Sequence, residues 1–496
     1  YSSGYQIYSL LLALCSIGIP SVVSKLVSER LAINDNAGAQ RIFKITMKLF
    51  AGIGLFFSVT LFLFADLIAT KILNVPDVSY VLKVLAPAIV FVAASSVFRG
   101  YFNAQSNMKP ASVSYTLEQF LNCVLSITFV YALIGKDAYI MAAGGNLSTT
   151  ISVILTFVYI FIYYKRHKIK YAEEELKNSP EYNKTSKQLL KAVLAFSIPI
   201  TIGSIISVIT SVIDTTTVSN CIQIAYSGII NSKGALEQLA MQKAGILSKV
   251  DTLVNLPIAI NIALSTALLP AISHSVAQKD FDTTNKRLSF SVFISILIII
   301  PCAIGFIVLA EPILKLIYPS ASDGAWVLRL ASISMIFIAL SQTINSGLQG
   351  LSKVYIPAIA LAVGAMVKLI LNVILISNPS INIYGAPISS ITCQIIAFCI
   401  SYTSLKKSIK LNMDFKRNVL KPILAGLIMG LVVSLSNYGL NLITGKTIST
   451  LISILIGVAV YIISVLLLKI LTKEDIFMLP FGAKIYNILE KKKIYM

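Results

Sequence analysis

The chain has 496 residues, 56% of them hydrophobic and only 12% charged, with a mean hydropathy of +0.83 and a formal net charge of +20. That excludes a soluble domain, because apolar runs long enough to cross a hydrocarbon core of ~30 Å recur along nearly the whole length. The chain reads as an all-α polytopic membrane protein. Its six cysteines stand singly with no CxxC spacing and there are only two histidines, so no metal or cofactor motif is written in it.

Taken in chain order, the apolar segments predict thirteen spans, at 5–27, 49–70, 81–103, 111–134, 138–163, 191–217, 246–271, 288–310, 326–348, 355–378, 384–405, 418–438 and 448–470. Counted over alternate loops, one side collects 31 Lys and Arg and the other nine, with Lys368 inside a span. The positive-inside bias makes the first side cytoplasmic. The same asymmetry accounts for the +20 through topology and contact with anionic lipid, without nucleic acid.

The chain repeats itself. Arg99–Gln119 (RGYFNAQSNMKPASVSYTLEQ) is echoed from Ser346 (SGLQGLSKVYIPAIALAVGAMVK), where Gly347 and Pro357 are ten residues apart, as are Gly100 and Pro110. A polar turn marked by Gly and Pro between long apolar runs is a tight connection between membrane helices. Pro20 matches Pro270, Ala65-Asp66 matches Ala310-Glu311, and Gly144 with Ser148-Thr149 matches Gly385 with Ser389-Ser390, at offsets between 241 and 250. Matched spans keep the same side. The expectation is two parallel six-helix repeats related by an axis along the membrane normal, followed by two extra C-terminal helices.

In this register the span at 191–217 has no partner in the first half, and the chain starts with Tyr. The expectation is therefore an N-terminal truncation by one span, from a complete protein of fourteen helices with both termini cytoplasmic. The expected organisation is an N-terminal lobe at 1–163, a charged cytoplasmic linker at 164–190, a C-terminal lobe at 191–408, two extra spans at 409–472 and a basic interfacial tail at 473–496. The external loop at 219–245 is expected to carry a short amphipathic helix on the outer surface.

Chemistry should reside in ionisable groups inside spans. A charge at the bilayer centre costs ~2.5–3.5 kcal/mol on insertion scales, so it faces a wet cavity or another charge. Lys25 with Glu29, and Arg99, lie near cytoplasmic span ends, where snorkelling to the interface is the plainer alternative. Lys249 and Asp251 lie near an outer end, where a local ion pair would account for both. Glu118, Asp214 and Lys368 lie well inside hydrophobic runs with no adjacent opposite charge, and read as cavity-facing. Pro87, Pro199, Pro257, Gly18 and Gly364 can bend spans in a structure that must rock. Gly445-Lys446-Thr447 looks like the end of a phosphate loop, but Leu440 stands where that pattern needs Gly, so ATP hydrolysis is not expected.

Four stretches carry a resemblance: GYQIYSLLLALCSIGIPSVVSKLVSE (4–29), RGYFNAQSNMKPASVSYTLEQ (99–119), STALLPAIS (265–273) and VKLILN (367–372). They resemble the multidrug/oligosaccharidyl-lipid/polysaccharide exporter superfamily, in its stage V sporulation protein B-like branch of lipid-linked precursor flippases. The resemblance spans essentially the whole chain. It implies a fourteen-helix transporter, not an enzyme, with two six-helix lobes around a central cavity in a bacterial cell membrane. The implied substrate is lipid II or a similar undecaprenyl-pyrophosphate-linked sugar, moved from the inner to the outer leaflet by alternating access. Membrane lipids and cell-wall synthesis enzymes are the candidate partners.

By the resemblance, Lys25 matches a basic position at the cytoplasmic end of the family's second helix. Glu118 and Gln119 match its Glu-Gln after the RGYF turn, and Asp214 an acidic position in the first helix of the second lobe. A pyrophosphate headgroup needs cationic partners. Lys25, Arg99, Lys249 and Lys368 are the candidates for substrate binding. Glu29, Glu118, Gln119, Asp214 and Asp251 are the candidates for ion coupling or for polar lining of the cavity. Two other readings compete. A cation-coupled multidrug antiporter of the same superfamily would usually show a more obvious acidic cluster, and a non-transporting scaffold for envelope synthesis would have no reason to keep charges inside helices.

Overall fold

The computed structural model describes residues 8, 11–12, 18–72, 78–169, 179, 185–228, 232–409, 414–443 and 445–478. They form helices and turns, with no strand among them. In chain order the helices are α1 (Ile19–Ala32), α2 (Asn36–Leu67), α3 (Val78–Ala104), α4 (Lys109–Ala132), α5 (Ala138–His167), α6 (Ser186–Tyr226), α7 (Lys233–Ala277) and α8 (Phe281–Val308). After them come α9 (Ala310–Ile317), α10 (Ala325–Gly350), α11 (Tyr355–Ile376), α12 (Gly385–Lys406), α13 (Lys421–Asn441), α14 (Lys446–Leu467) and α15 (Lys473–Met478). Among the described residues, twelve helices are long and apolar enough to cross a membrane. The first expected span, 5–27, falls partly outside those residues, and so do most of the linker and the tail beyond 478.

The expected outer loop at 219–245 is largely helix. α6 and α7 run 41 and 45 residues and reach into it from both sides. Ile222, Leu236 and Ala240 are buried there. Recurrent burial of apolar residues on one face holds a helix together where the sequence shows only weak amphipathicity.

The chain divides into two compact units. Unit 1 is Tyr1–Ile209 with Leu269–Phe281 and Gln349–Ala358; unit 2 is Thr210–Leu268 with Asp282–Leu348 and Ile359–Met496.

In unit 1, α3 is the most enclosed element and packs between α1, α2 and α5. Phe43, Phe98, Tyr101 and Tyr164 meet with ring centroids 4.6–5.6 Å apart. The Tyr101 hydroxyl accepts from Gln40 Nε2 at 2.6 Å and from the Ile169 backbone N–H at 2.9 Å, and Tyr164 donates to Gln40 Oε1 at 3.1 Å. Buried aromatics with their polar tips satisfied fix how α5 leaves the bundle.

Close backbone approach refines the repeat. A Cβ on Gly100 would lie 2.7 Å from the Pro20 carbonyl oxygen; a Cβ on Gly350 would lie 2.6 Å from Ile272 and 3.5 Å from the Leu269 carbonyl oxygen. In packing, the counterpart of Gly100 is thus Gly350, at the same offset that relates Pro20 to Pro270. Gly347, paired with it by sequence, packs instead on Leu288. Gly100→Ala is expected to cost about 1–2 kcal/mol net, since the clash outweighs the helix-propensity gain of about 1 kcal/mol. A lowered unfolding temperature in detergent checks it.

In unit 2 the two extra helices form a hairpin seated on α8. Gly426 and Gly430, four residues apart on α13, face Ile300 and Ile304, and Gly457 of α14 faces Val433. Small residues at that spacing let membrane helices approach closely. The Tyr461 hydroxyl of α14 also donates to the Leu297 carbonyl at 2.8 Å.

Candidate functional site

Six of the charged residues predicted from the sequence pair off in three clusters, two in unit 1 and one in unit 2. The first is on α1. Helical spacing of four places Lys25 beside Glu29, and its ammonium donates to Glu29 Oε1 at 2.7 Å. It donates also to the Gly350 carbonyl at 3.0 Å and lies 5.0 Å from the Phe196 ring. Lys25 is 1% exposed and Glu29 26%. The lysine is therefore not snorkelling: it is turned into protein, while its carboxylate partner reaches the edge.

The second cluster bridges the RGYF turn. Arg99, at the end of α3, is 2% exposed. Its Nη2 donates to Glu118 at 2.5 Å, its Nε to Ser114 Oγ at 2.9 Å, and its guanidinium stacks 3.8 Å from the Tyr115 ring. Ser114 and Glu118 lie one turn apart on α4, so one face of that helix supplies both acceptors. A planar guanidinium matches such a site where an ammonium would not. Gln119 next to it is exposed and makes no hydrogen bond among the described residues.

The third cluster joins α6, α11 and α12. Lys368 donates to Asp214 Oδ2 at 2.5 Å and to the Thr210 carbonyl at 3.2 Å. The other Asp214 oxygen accepts from Asn372 Nδ2 at 3.0 Å, and Asn372 also donates to Thr217 at 2.9 Å. Ser389 of α12 in turn donates to Asn372. Lys368 and Asn372 are four apart on α11, and Asp214 and Thr217 three apart on α6, so two helix faces meet over one charge pair. Asp214, Lys368 and Glu118 have no opposite charge adjacent to them in the sequence. Their partners come from neighbouring helices, which adjacency in the chain does not reveal. Asn372, Thr217, Ser389, Ser114 and Tyr115 went unnoticed as partners; the i,i+4 spacing of Lys368 and Asn372 within VKLILN was the signal available.

Lys249 and Asp251 do not form the local pair expected of them. Residues two apart on a helix point to different faces. Lys249 donates to the Ala321 carbonyl at 2.6 Å and lies 5.7 Å from the Tyr318 ring. Asp251 makes no hydrogen bond among the described residues and feels the charges of Asp214 and Lys368. Those three groups, on α6, α7 and α11, put two carboxylates and one ammonium in the same part of unit 2. No group of three or more metal-ligating side chains occurs among the described residues.

A family model described as lipid II flippase MurJ matches residues 78–460, and a MatE model matches residues 1–128. The chain is 24% identical to stage V sporulation protein B of Bacillus subtilis (strain 168), over 97% of this chain and 90% of that protein. It is 25% identical to the lipid II flippase MurJ of the same organism, over 89% and 82% respectively. In fold it is similar to an outward-facing multidrug resistance MATE family transporter of the MOP superfamily, with a TM-score of 0.66 at 14% identity, covering 82% of this chain and 86% of that one. With a helical membrane fold, buried charges within its spans and a family match over most of its length, the chain belongs to the lipid II flippase MurJ family, whose members are multi-pass bacterial membrane transporters rather than enzymes.

Proposed function

We propose that the protein moves an undecaprenyl-pyrophosphate-linked cell-wall precursor, lipid II or a similar oligosaccharide-lipid, from the inner to the outer leaflet by alternating access. The observation that carries this reading is that Lys25, Arg99 and Lys368 are all buried within predicted spans and each is held by a carboxylate. A scaffold gains nothing from charges so placed, and each costs free energy in a bilayer. An anionic headgroup offers the same acceptor chemistry as the carboxylates and can take their place on the cations. Lys25, whose partner Glu29 is partly exposed, is the cation most open to that exchange. Asp214, when freed of Lys368, and Asp251, which feels the charges of both, take the coupling ion or proton. The drive is then the membrane potential or an ion gradient, worth ~2.3 kcal/mol per charge per 100 mV.

The test is complementation. Cells depleted of their own lipid II flippase receive the full-length gene, and lipid II exposure at the outer surface is followed. Restored exposure is expected. A well-expressed protein that does not restore it moves the reading to another polyprenyl-linked glycan, and drug efflux in its place would favour the cation-coupled antiporter.

A further inference from the structure

Two asparagines relate α4 of unit 1 to α11 of unit 2. Ser148 Oγ lies 2.7 Å from Asn122 Oδ1 and 2.6 Å from the Gly145 carbonyl oxygen. Ser389 Oγ likewise bonds Asn372 Oδ1 and lies 2.9 Å from the Ala386 carbonyl oxygen. Asn122 and Asn372 are 250 residues apart, the offset that also relates Gly100 to Gly350. At that offset the faces of the two helices can be compared position by position.

In unit 2, α6 bonds to α11 along Lys368 and Asn372. Met366, Leu369, Ile370 and Val373 stay exposed with α6 in place, and an exposed apolar face on a span meets lipid tails. At the same four positions α4 carries Thr116, Gln119, Phe120 and Cys123, all exposed. The lipid-facing surface of one repeat is therefore polar in the other. Around α4, Thr116, Gln119 and Cys123 fall within about 60° of one another, between the buried Ser114–Glu118 face and an apolar arc through Val113, Phe120 and Val124. α4 is also the least enclosed of the twelve candidate spans.

Gln119 makes this face costly. It stands ten residues into α4, about 15 Å along the axis, which is mid-depth in a hydrocarbon core of ~30 Å. Thr116 satisfies its hydroxyl on the Ser112 carbonyl of its own helix at 3.1 Å, but the Gln119 amide makes no hydrogen bond among the described residues. Lipid tails offer it none.

We propose that this face of α4 is the contact between two copies of the chain, related by a two-fold axis along the membrane normal. Copies inserted with the same orientation meet there at equal depth, so each residue near the axis faces itself. The chemistry is self-complementary: an amide both donates and accepts, and therefore pairs with another Gln119. Thr116 and Cys123 on either side are small enough to let the two helices approach. Gln119, a candidate for cavity lining by sequence, takes a different place in this arrangement. The contact rests on the assignment of spans and not on the transported substrate.

Cys123, one turn beyond Gln119, is a native probe. The full-length chain in proteoliposomes is oxidised with copper–phenanthroline, or treated with a short bismaleimide, and resolved by mass without reductant. A linked dimer is expected, abolished by Cys123→Ser and kept by Cys399→Ser, which removes the other exposed thiol among the described residues. Gln119→Leu is expected to lower the linked fraction by about fivefold, the scale of one interhelical hydrogen bond in a bilayer. Moving the thiol by one residue, in Cys123→Ser/Val124→Cys, turns it about 100° towards the apolar arc and is expected to link far less. Equal linking from that position, or linking indifferent to Gln119→Leu, means random collision and overturns the proposal. Should Gln119→Leu fail to insert, the native chain at rising lipid-to-protein ratio takes its place, and a linked fraction that falls in proportion to dilution overturns it. A Cys123 that gives no dimer but reacts with a charged, membrane-impermeant maleimide assigns the face to a water-filled pathway and overturns it. A linked product of any other mass in native membranes assigns the face to a different membrane protein, with the same consequence.

Discussion

Lys368→Met is expected to destabilise the protein by about 3 kcal/mol or more, the scale on which removal of one partner strands a buried charge. Asp214 would keep its bond from Asn372 but lose the ammonium, and the Thr210 carbonyl would lose a donor. Lys368 is 6% and Asp214 13% exposed at the side chain, so water does little to replace what is lost. The double variant Lys368→Met/Asp214→Asn should recover most of the stability, because no uncompensated charge remains. Thermal unfolding in one detergent, compared across wild type, single and double variants, measures the difference. A single variant as stable as wild type would mean that the two groups are not paired in the protein.

Lys25→Ala should show the opposite balance, a large loss of transport with a smaller loss of stability. In the complementation assay, lipid II exposure is expected to fall at least tenfold at unchanged protein level. A hydrogen bond to a charged group is worth roughly 1.5–3 kcal/mol, or about 10-fold to 150-fold in a binding or rate constant. The stability cost is smaller because Glu29, at 26% exposure, can be solvated once its partner is gone. Only the Gly350 carbonyl is left without this donor in a buried place. Lys25→Arg should retain part of the activity, since it keeps the charge but changes the donor geometry. If Lys25→Ala instead unfolds the protein as Lys368→Met does, the Lys25 cluster is structural and the substrate role assigned to it fails.

Fold class was legible in the sequence because a bilayer imposes one simple rule: a span must be long, apolar and internally hydrogen-bonded. That rule alone separates this chain from soluble proteins and places most of its helices. The repeat was legible too, through Pro20 and Pro270 and through the two Gly- and Pro-marked turns. Its register was not. Gly350 takes the place of Gly100 because packing follows which backbone must approach which, and similar letters three residues apart do not settle that. The full length of α6 and α7, beyond the spans expected at 191–217 and 246–271, was not legible for a related reason, as tertiary burial of Ile222 and Leu236 sustains helix where local periodicity is faint.

The kinds of residue at the candidate site could be listed from the sequence, since an ionisable group in an apolar run stands out by its cost. How they combine could not. Lys25 and Glu29 are four apart on one helix, and their pairing follows from helical geometry alone. Arg99 with Glu118, and Lys368 with Asp214, meet across helices 19 and 154 residues apart in sequence. Lys249 and Asp251, nearly adjacent, turn to different faces and do not meet. By itself, then, the sequence determined that this is a membrane protein of repeated helices with charges placed at a cost inside them. Only the tertiary structure decided which charges neutralise one another, because in a medium of low dielectric the compensating partner is chosen by helix packing and side-chain reach, not by distance along the chain.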